Sequence, residues 1–447
     1  MKNSRRQFVR NVALSSLAFP SISTALANSR PKSVAPSDKM KIGLIGCKGM
    51  GFSNLQRHIK NKGIECIGLC DVDQNVLDER SAQLEKMQGS KAKTYGDYRQ
   101  MLDNKEIDYV IVGTPDHWHC LNMIGALDAG KHVYVEKPIA HNMDECNLMV
   151  KAAKKYGKIV QVGQWQRSGP HYEEAFKMVK SGMLGKIRLV KVWAYQGWMK
   201  PVNVLPDTAV PKGVNYDMWQ GPAQRHPFNE NRFHFNFRWF WDYAGGLMTD
   251  WGVHEIDIAL HAMGAKSPIS VMASGGKFAY PDDTSETPDT LQTVFQYDGF
   301  NMLWEHATGI DGGNYGKTEG IAFIGNNGTL VVHRGGFELI PETYTENKIK
   351  KTKVEPIPTF TKKAEDDYLY NHAENFINAI RNNDPKSLKC GIETGSIAAI
   401  NAIMGNISYK LGRKVFWDEA NGNFKNDKEA NALMVSHYKN EYILPKV

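Results

Sequence analysis

The sequence predicts an α/β N-terminal domain with a parallel sheet, joined to an α+β domain with a largely antiparallel open sheet. The chain has 447 residues, more than one domain usually holds, so two separate cores are expected. Between residues 40 and 165 short apolar runs alternate with helical stretches, which is typical of βαβ units. After residue 187 the apolar runs are separated by Gly, Asn and Asp turns, which favours antiparallel pairing.

The elements of the first domain follow from apolar runs that end in polar turns. We predict strands at residues 41–45, 64–70, 107–112, 132–135 and 158–163. Helices are predicted up to residue 59 and over residues 74–88, 119–129 and 144–155. Residues 40–165 therefore form the predicted first domain.

The second domain is predicted over residues 166–415. Helix 171–181 leads into a strand at 187–195 and a long irregular aromatic stretch at 197–243. Further strands are predicted at 269–273, 291–297, 301–306, 321–324 and 330–332. Two long helical patterns, 368–381 and 392–411, could pack on either domain. Residues 416–447 form a C-terminal extension.

The N-terminus has the pattern of an export signal. Arg5-Arg6 is followed by a mildly apolar run at 11–26 that ends in Ala25-Leu26-Ala27, and this resembles a twin-arginine signal peptide. A basic disordered tail is the alternative. We expect a signal at residues 1–27, a loose linker at 28–39 and a periplasmic protein. The predicted cleavage pattern is not followed by a cysteine, so we expect no lipid anchor. No other stretch is apolar over the roughly 18 residues that span a bilayer.

Charge and cysteine content narrow the possible functions. The net charge of +7 arises partly from the first 41 residues, so a basic surface for nucleic acid is not predicted. None of the six cysteines forms a C-x-x-C pair, so we expect structural thiols rather than a metal or redox site. They are Cys47, Cys66, Cys70, Cys120, Cys146 and Cys390.

A glycine-rich turn, residues 46–51, joins the first strand to the first helix. Gly46 and Gly51 hold the outer positions of the dinucleotide-binding pattern G-x-G-x-x-G. Lys48 holds the middle position, so we expect Gly49, with Met50 beside it, to let the backbone approach a pyrophosphate. The alternative is an ordinary glycine turn with a surface aspartate further on.

Asp71 ends the second strand, twenty residues after the turn. A carboxylate there can accept hydrogen bonds from the adenosine ribose, and it repels a 2′-phosphate. The sequence therefore favours NAD over NADP as the cofactor of a Rossmann domain.

Polar residues follow the later strands, at the edge where ligands of open α/β sheets bind. Lys137 is a candidate donor to a substrate hydroxyl, and an ion pair with Glu136 is its structural alternative. The other cofactor contacts predicted at this edge are Thr114, Pro115, His117, His119, Glu136 and Gln164.

Asp250, His254 and Asp257 are spaced to share one helix face. An aspartate beside a histidine orients the ring and raises its basicity, which suits proton removal from an alcohol. With His261 the stripe could instead bind a metal or be purely structural. We expect catalysis and no metal.

Four short motifs together resemble the glucose-fructose oxidoreductase, inositol dehydrogenase and MocA family over about residues 40–415. They are the glycine turn, Thr114-Pro115, Glu136-Lys137-Pro138 and Asp250-x-x-x-His254. The resemblance implies a Rossmann domain and a substrate domain whose open sheet mediates homo-oligomer contacts. It also implies that Lys137 polarises the reacting hydroxyl, that His254 is the acid/base, and that Asp250 orients His254 or touches substrate. Lys48 departs from the family pattern.

Aromatic and arginine side chains cluster before the helix that carries His254, and flat rings can stack on sugars. The substrate contacts predicted are Trp165, Arg167, Arg238, Trp239 and Asp257.

The sequence thus predicts an NAD(P)-dependent oxidoreductase acting on a sugar, polyol or glycoside hydroxyl. Since no free nicotinamide pool recycles a cofactor outside the cytoplasm, we expect the cofactor to be exported bound and regenerated in place. Coupled oxidation and reduction of two sugars would do this. A redox-dependent glycoside hydrolase is the alternative, and a non-catalytic sugar-binding protein is the second alternative.

Overall fold

The computed structural model describes residues 39–447. The predicted signal peptide, 1–27, and all but the last residue of the predicted linker lie outside the described residues. Within residues 39–447 no helix is long and apolar enough to cross a membrane. All six cysteines are buried free thiols.

The first domain is built on a six-stranded parallel sheet with the strand order β3-β2-β1-β4-β5-β6. Its strands are β1 (Met40–Ile45), β2 (Ile64–Cys70), β3 (Lys93–Tyr95), β4 (Tyr109–Val112), β5 (His132–Val135) and β6 (Val160–Val162). Its helices are α1 (Gly49–Ile59), α2 (Gln74–Gln88), α3 (Tyr98–Leu102), α4 (Asp116–Asp128) and α5 (Met143–Tyr156). The order reverses between β1 and β4, and a crevice for ligands opens at such a switch point.

Both faces of this sheet are covered, because its central strands are apolar on both sides. Ile42 and Leu44 of β1 belong to one core, whereas Val110 and Val112 of β4 belong to the other. Near-continuous apolar strands of this kind are typical of a parallel sheet between helical layers.

The second domain contains a ten-stranded sheet with the order β16-β13-β12-β11-β7-β10-β9-β8-β17-β18. The pair β7 and β10 is parallel, and the other neighbours are antiparallel. The predicted fold class is therefore confirmed. The strands are β7 (Leu189–Gln196), β8 (Ser270–Gly276), β9 (Thr290–Tyr297), β10 (Phe300–Thr308), β11 (Glu319–Ile324), β12 (Gly328–His333), β13 (Gly336–Pro341), β16 (Phe360–Thr361), β17 (Val415–Asp418) and β18 (Asn423–Phe424), with β14 (Thr343–Glu346) and β15 (Ile349–Thr352) as a separate hairpin.

The helices of this part are α6 (Pro170–Lys180), α7 (Tyr216–Gln220), α8 (Gly246–Asp250), α9 (Gly252–Met263), α10 (Tyr368–Arg381), α11 (Ile392–Leu411) and α12 (Lys428–Ala432). Helix α10 packs on the first domain, where the ring of Phe376 meets Tyr109 and Tyr134 edge-on. Helix α11 packs against α5, α9 and β8. The two long C-terminal helices thus join the two domains.

The tail after α12 crosses back to the first domain. Ser436 donates two hydrogen bonds to the carboxylate of Asp144 in α5, and the Tyr438 hydroxyl donates one to Glu145. Asn440 then bonds the carbonyl of Gly221 at 2.7 Å. This tail ties α5 to the turn that follows α7.

Candidate active site

One cavity of about 630 Å³ extends from the glycine turn to the ends of β4 and β5 and to α8. Residues of both domains line it. Among the predicted site residues it exposes Gly46, Lys48, Gly49, Met50, Asp71, Thr114, Pro115, His119, Glu136, Lys137, Arg238 and Asp250.

The glycine turn forms the cradle at one end of the cavity. A Cβ on Gly51 would lie 2.0 Å from the Gly46 carbonyl oxygen, and one on Gly46 would lie 2.7 Å from the backbone of Gly113. These glycines let α1 approach β1 and β4 closely. Gly49 has a φ of +52° and open space beside it, whereas Lys48 is extended. Gly49 thus takes the left-handed conformation that the turn needs.

Asp71 faces the cavity at the end of β2, and it also holds the turn. Its carboxylate accepts hydrogen bonds from the backbone N–H groups of Cys47, at 2.7 Å, and Asp73, at 3.0 Å. Burial raises the pKa of Asp71 to about 6, although these hydrogen bonds oppose the rise. Asp71, which is predicted to bind the ribose, therefore also stabilises the glycine turn.

The aromatic stretch between β7 and α8 supplies one wall of the cavity. Asn215 N–H donates to the carbonyl of Val72, and Gln74 N–H donates to that of Gly213, so the stretch is bonded to the turn after β2. His234 Nε2 lies 3.0 Å from the carboxylate of Asp73. The stretch is thereby anchored beside Asp71.

Lys137 connects the two domains at the other end. Its Nζ donates to the backbone oxygen and to Oδ1 of Asp250, both at 2.9 Å. Arg238 Nε donates to the same Oδ1 at 3.2 Å. Burial alone would raise the pKa of Asp250, but Lys137 and Arg238 hold it well below its usual range. Asp250 is therefore an anion between two cations.

This arrangement corrects the prediction that Asp250, His254 and Asp257 share one helix face. In an uninterrupted helix the Asp250 carbonyl would accept from the N–H of His254. Lys137 donates to that carbonyl instead, and the N–H of His254 donates to the carbonyl of Trp251. The chain therefore divides into α8 and α9 at this point. The Asp250 carboxylate is directed at Lys137 and Arg238, and it does not orient the His254 ring.

His254 is 5% exposed and is not among the residues that line this cavity. Its ring meets Trp165 and Trp251 edge-on, and Arg334 stacks on both of these indoles. Burial, with Lys137 and Arg334, lowers the pKa of His254 well below its usual value, so the ring is neutral. Within residues 39–447 its Nδ1 has no hydrogen-bond partner.

Asp116 also lines the cavity, in the stretch after the third predicted strand that was expected to face the cofactor, although no individual role was predicted for it. It is the first residue of α4, it is 7% exposed, and its side chain lines the cavity with Lys137 and Arg238. Burial raises the pKa of Asp116 to about 8, Arg238 and Lys137 oppose this, and Asp250 adds to it. Its place directly after Thr114-Pro115 was the available signal.

Two of the predicted contacts that line the cavity, His119 and Glu136, also hold neighbouring elements together. His119 ring nitrogens lie 2.7 Å from the carbonyl oxygen of Pro138 and 2.8 Å from that of Thr114, joining the ends of β4 and β5. Glu136 accepts a hydrogen bond from Asn54 of α1.

The other predicted contacts lie elsewhere. Arg167 and Asp257 form a buried bidentate ion pair with N–O distances of 2.6 and 2.8 Å, so each satisfies the other instead of lining the cavity. Trp239 is 4% exposed in an aromatic core. His117 Nε2 lies 3.1 Å from the Trp219 carbonyl, and Gln164 donates to Val253. No His, Cys, Asp and Glu side chains among residues 39–447 form a group suited to a metal ion.

Two family profiles match the chain. One is described as an oxidoreductase family with an NAD-binding Rossmann fold and matches residues 40–164. The other is the C-terminal alpha/beta domain of that oxidoreductase family and matches residues 169–305. Together they cover more than half of the sequence. This chain belongs to the Gfo/Idh/MocA oxidoreductase family.

Curated members similar to this chain have names that refer to glycoside hydrolysis. A glycosyl hydrolase family 109 protein of Shewanella pealeana is 30% identical over 205 residues, which are 42% of this chain and 45% of that protein. An alpha-N-acetylgalactosaminidase of Shewanella oneidensis is 29% identical over 159 residues, 34% of this chain and 35% of that protein. The matches thus span less than half the length of these relatives.

Solved structures share the fold over most of the chain. The WlbA dehydrogenase of Bordetella pertussis, in complex with NADH and UDP-GlcNAcA, has a TM-score of 0.61 at 20% identity and covers 85% of this chain and 99% of its own. The aldose-aldose oxidoreductase of Caulobacter crescentus, complexed with glycerol, has a TM-score of 0.61 at 19% identity and covers 85% of this chain and 100% of its own.

Proposed function

We propose that the protein binds a nicotinamide dinucleotide and uses it to oxidise a hydroxyl of a sugar, polyol or glycoside. One observation carries the proposal: a single cavity joins the glycine turn to the cluster of Lys137, Asp250 and Arg238. Dinucleotides lie across such a switch point with the pyrophosphate at the glycine turn.

The described residues fit this cofactor. Open space beside Gly49 leaves room for a pyrophosphate, and the Cβ-free backbone of Gly46 and Gly51 keeps α1 close to the sheet. Asp71 at the end of β2 favours NAD over NADP, because a carboxylate there repels a 2′-phosphate. This preference is tested by measuring the affinities of Asp71→Asn for NAD and NADP. We expect the affinity for NADP to rise and that for NAD not to rise.

Lys137 is suited to polarise the reacting hydroxyl. An ammonium has three donors, of which Asp250 accepts two, so one N–H of Lys137 remains for a substrate oxygen. Arg238 adds a second positive charge beside it. Fixed cations at a developing alkoxide lower its free energy in a water-poor site. The nicotinamide, when bound, supplies the acceptor for the hydride.

The first experiment is absorbance and mass analysis of the purified mature protein for a bound nicotinamide. A panel of sugars and glycosides is then added without external cofactor. We expect a retained cofactor whose reduced absorbance rises and falls with substrate. Failure to bind nicotinamide, even with NAD supplied, would refute the proposal.

A redox-dependent glycoside hydrolase is the second candidate, and the names of the curated relatives favour it. In that reaction oxidation is transient, the aglycone is eliminated, and water addition and re-reduction complete the cycle. Release of the aglycone from a chromogenic glycoside, without net formation of NADH, would support this candidate. Stoichiometric NADH with an intact glycosidic bond would support a simple dehydrogenase.

We also propose export by the twin-arginine route, on the basis of Arg5-Arg6 and the apolar run after them. A fusion of residues 1–39 to a folded reporter should reach the periplasm, and Arg5→Lys with Arg6→Lys should block it. Retention of the unaltered fusion in the cytoplasm would contradict this proposal.

A homo-oligomer formed through the large sheet is a further part of the proposal. Met272 and Val294 pair across β8 and β9 and are 42% and 40% exposed, and Leu303 of β10 continues the row. Light scattering should show an oligomer that Val294→Lys dissociates. A monomeric unaltered protein would refute it.

A further inference from the structure

Two large aromatic side chains that lie against each other at the cavity are exposed to solvent. Trp198, in the turn after β7, is 56% exposed, and Phe235, in the 3-10 helix His234–Trp239, is 51% exposed. Phe235 lines the cavity itself, and its ring meets that of Trp198 edge-on with the centroids 6.1 Å apart. Single exposed apolar residues need no explanation, whereas adjacent ones beside a cavity mark a binding surface. We call these two rings the aromatic platform.

Both rings of the aromatic platform are held in place although they are exposed. The indole N–H of Trp198 donates a hydrogen bond of 2.5 Å to the side-chain oxygen of Gln196, which is buried. The guanidinium of Arg238 lies 4.7 Å from the centre of the Phe235 ring and donates to the Phe235 carbonyl at 3.0 Å. His234, directly before Phe235, has a φ of +55°, which costs free energy in a residue other than glycine. Rings that are fixed before a ligand arrives lose little entropy when it binds.

The aromatic platform is continuous with the proposed reaction centre. Arg238 donates through Nε to Asp250 at 3.2 Å, and the same carboxylate oxygen accepts from Lys137 at 2.9 Å. A row of direct contacts therefore leads outward from Lys137 to Asp250, Arg238, Phe235 and Trp198. A substrate that places its reacting hydroxyl at Lys137 and extends along this row reaches the platform with its distant part.

The chemistry of this row suits a sugar ring. Besides its bonds to Asp250 and to the Phe235 carbonyl, the guanidinium of Arg238 has no hydrogen-bond acceptor among residues 39–447. Its remaining N–H groups are therefore free to donate to hydroxyl oxygens. The flat C–H face of a pyranose ring packs on an aromatic ring, while the hydroxyls at its edge take such donors. A purely apolar ligand would leave the Arg238 donors unused.

We propose that Trp198 and Phe235 form a subsite for a second sugar ring, and that the substrate is a glycoside of at least two rings instead of a free monosaccharide. The inference rests on the proposed function and adds the size of the substrate to it. The two aromatic residues make and break no bond. Binding of the distant ring instead contributes free energy that holds the reacting ring against Lys137.

The experiment uses the sugars of the panel described above, each as its methyl glycoside and as a disaccharide with the same sugar at the non-reducing end. The unaltered protein should have the higher kcat/KM for the disaccharide. Trp198→Ala should raise KM for the disaccharide about tenfold, because one stacking ring is lost. KM for the methyl glycoside and kcat for both probes should change less than about twofold. Trp198→Phe should restore most of the loss, and Tyr344→Ala, at a 43% exposed ring in β14, is the control.

Three results would overturn the inference. One is an equal kcat/KM for both probes in the unaltered protein, which decides the matter even if a variant does not fold. Another is an equal loss for both probes in Trp198→Ala. The third is no loss for either probe, and a changed oligomer size in light scattering would then identify the platform as a contact between copies of the chain.

Titration calorimetry with the same probes separates this inference from the proposed function, because it measures binding without turnover. If the disaccharide binds about tenfold more weakly to Trp198→Ala but no probe is oxidised, the subsite stands and the proposed function fails. If the probes are oxidised but the disaccharide and the methyl glycoside behave alike, only the subsite fails.

Discussion

Lys137 and Asp250 form the contact that matters most at the scale of single residues. Lys137→Ala removes two hydrogen bonds to Asp250 and the cation nearest the proposed hydroxyl position. We expect turnover to fall by about 10²- to 10⁴-fold, while NAD remains bound at the glycine turn. Steady-state kinetics together with cofactor titration measure both effects. Lys154→Ala, at an exposed pair, is the control, and near-normal turnover in Lys137→Ala would contradict the assignment.

The ion pair of Arg167 and Asp257 was predicted to contact substrate, and a substitution can show whether its role is structural instead. Both side chains are less than 10% exposed, and Arg167 donates two hydrogen bonds to the Asp257 carboxylate. Arg167→Met leaves a buried carboxylate without its partner, so unfolding free energy should fall by about 3–5 kcal/mol. Denaturant unfolding measures the loss. Because neither side chain lines the cavity, KM of the folded fraction should stay unchanged, and a large rise in KM would restore the substrate role.

At the scale of elements, the packing of α1 on the sheet depends on Gly51. Gly51→Ala places a methyl group 2.0 Å from a backbone oxygen, so α1 must shift. We expect a loss of about 1–3 kcal/mol in stability and weaker NAD binding. Gly312→Ala, with no atom within 4 Å of the new Cβ, is the matched control. Thermal unfolding of the two variants makes the comparison, and equal Tm values would contradict it.

Five of the six strands of the first domain could be predicted because their signal is local, whereas the short β3 (Lys93–Tyr95) was not predicted. Residues 41–45 and 64–70 are mostly apolar runs, and they form β1 and β2. By contrast, β14 and β15 are exposed along their whole length and have no apolar alternation, so no strand was predicted there. Exposed hairpins provide no periodicity to detect.

The candidate site was less predictable, since distant residues shape it. At the break between α8 and α9 the Asp250 carbonyl accepts a hydrogen bond from Lys137, which lies 113 positions earlier in the chain. Local spacing therefore favoured one helix with Asp250 beside His254. Asp116 was given no individual role for a related reason: its burial near Lys137, Arg238 and Asp250 depends on distant parts of the chain.

At the scale of the whole molecule, the C-terminal tail holds the first domain to the aromatic stretch. Deletion of residues 434–447 removes the bonds of Ser436, Tyr438 and Asn440, and the edge-on contact of Tyr442 with Trp118. We expect a lower Tm and faster exchange of a bound nicotinamide, because Trp118 lines the cavity. Scanning calorimetry and exchange against labelled NAD measure these effects. Ile443→Ala, at a side chain 77% exposed, should change neither, and an unaltered deletion variant would refute the role of the tail.

The hydrogen bonds from Lys137 to Asp250 also join the two domains. Lys137 belongs to the first domain and Asp250 to the second, so a movement that separates the domains at this point must break these hydrogen bonds. The same nitrogen is the proposed anchor for the substrate oxygen. Domain flexibility and the alignment of the reacting atoms are therefore coupled through one ammonium group, and a substitution that loosens the hinge here also displaces the substrate.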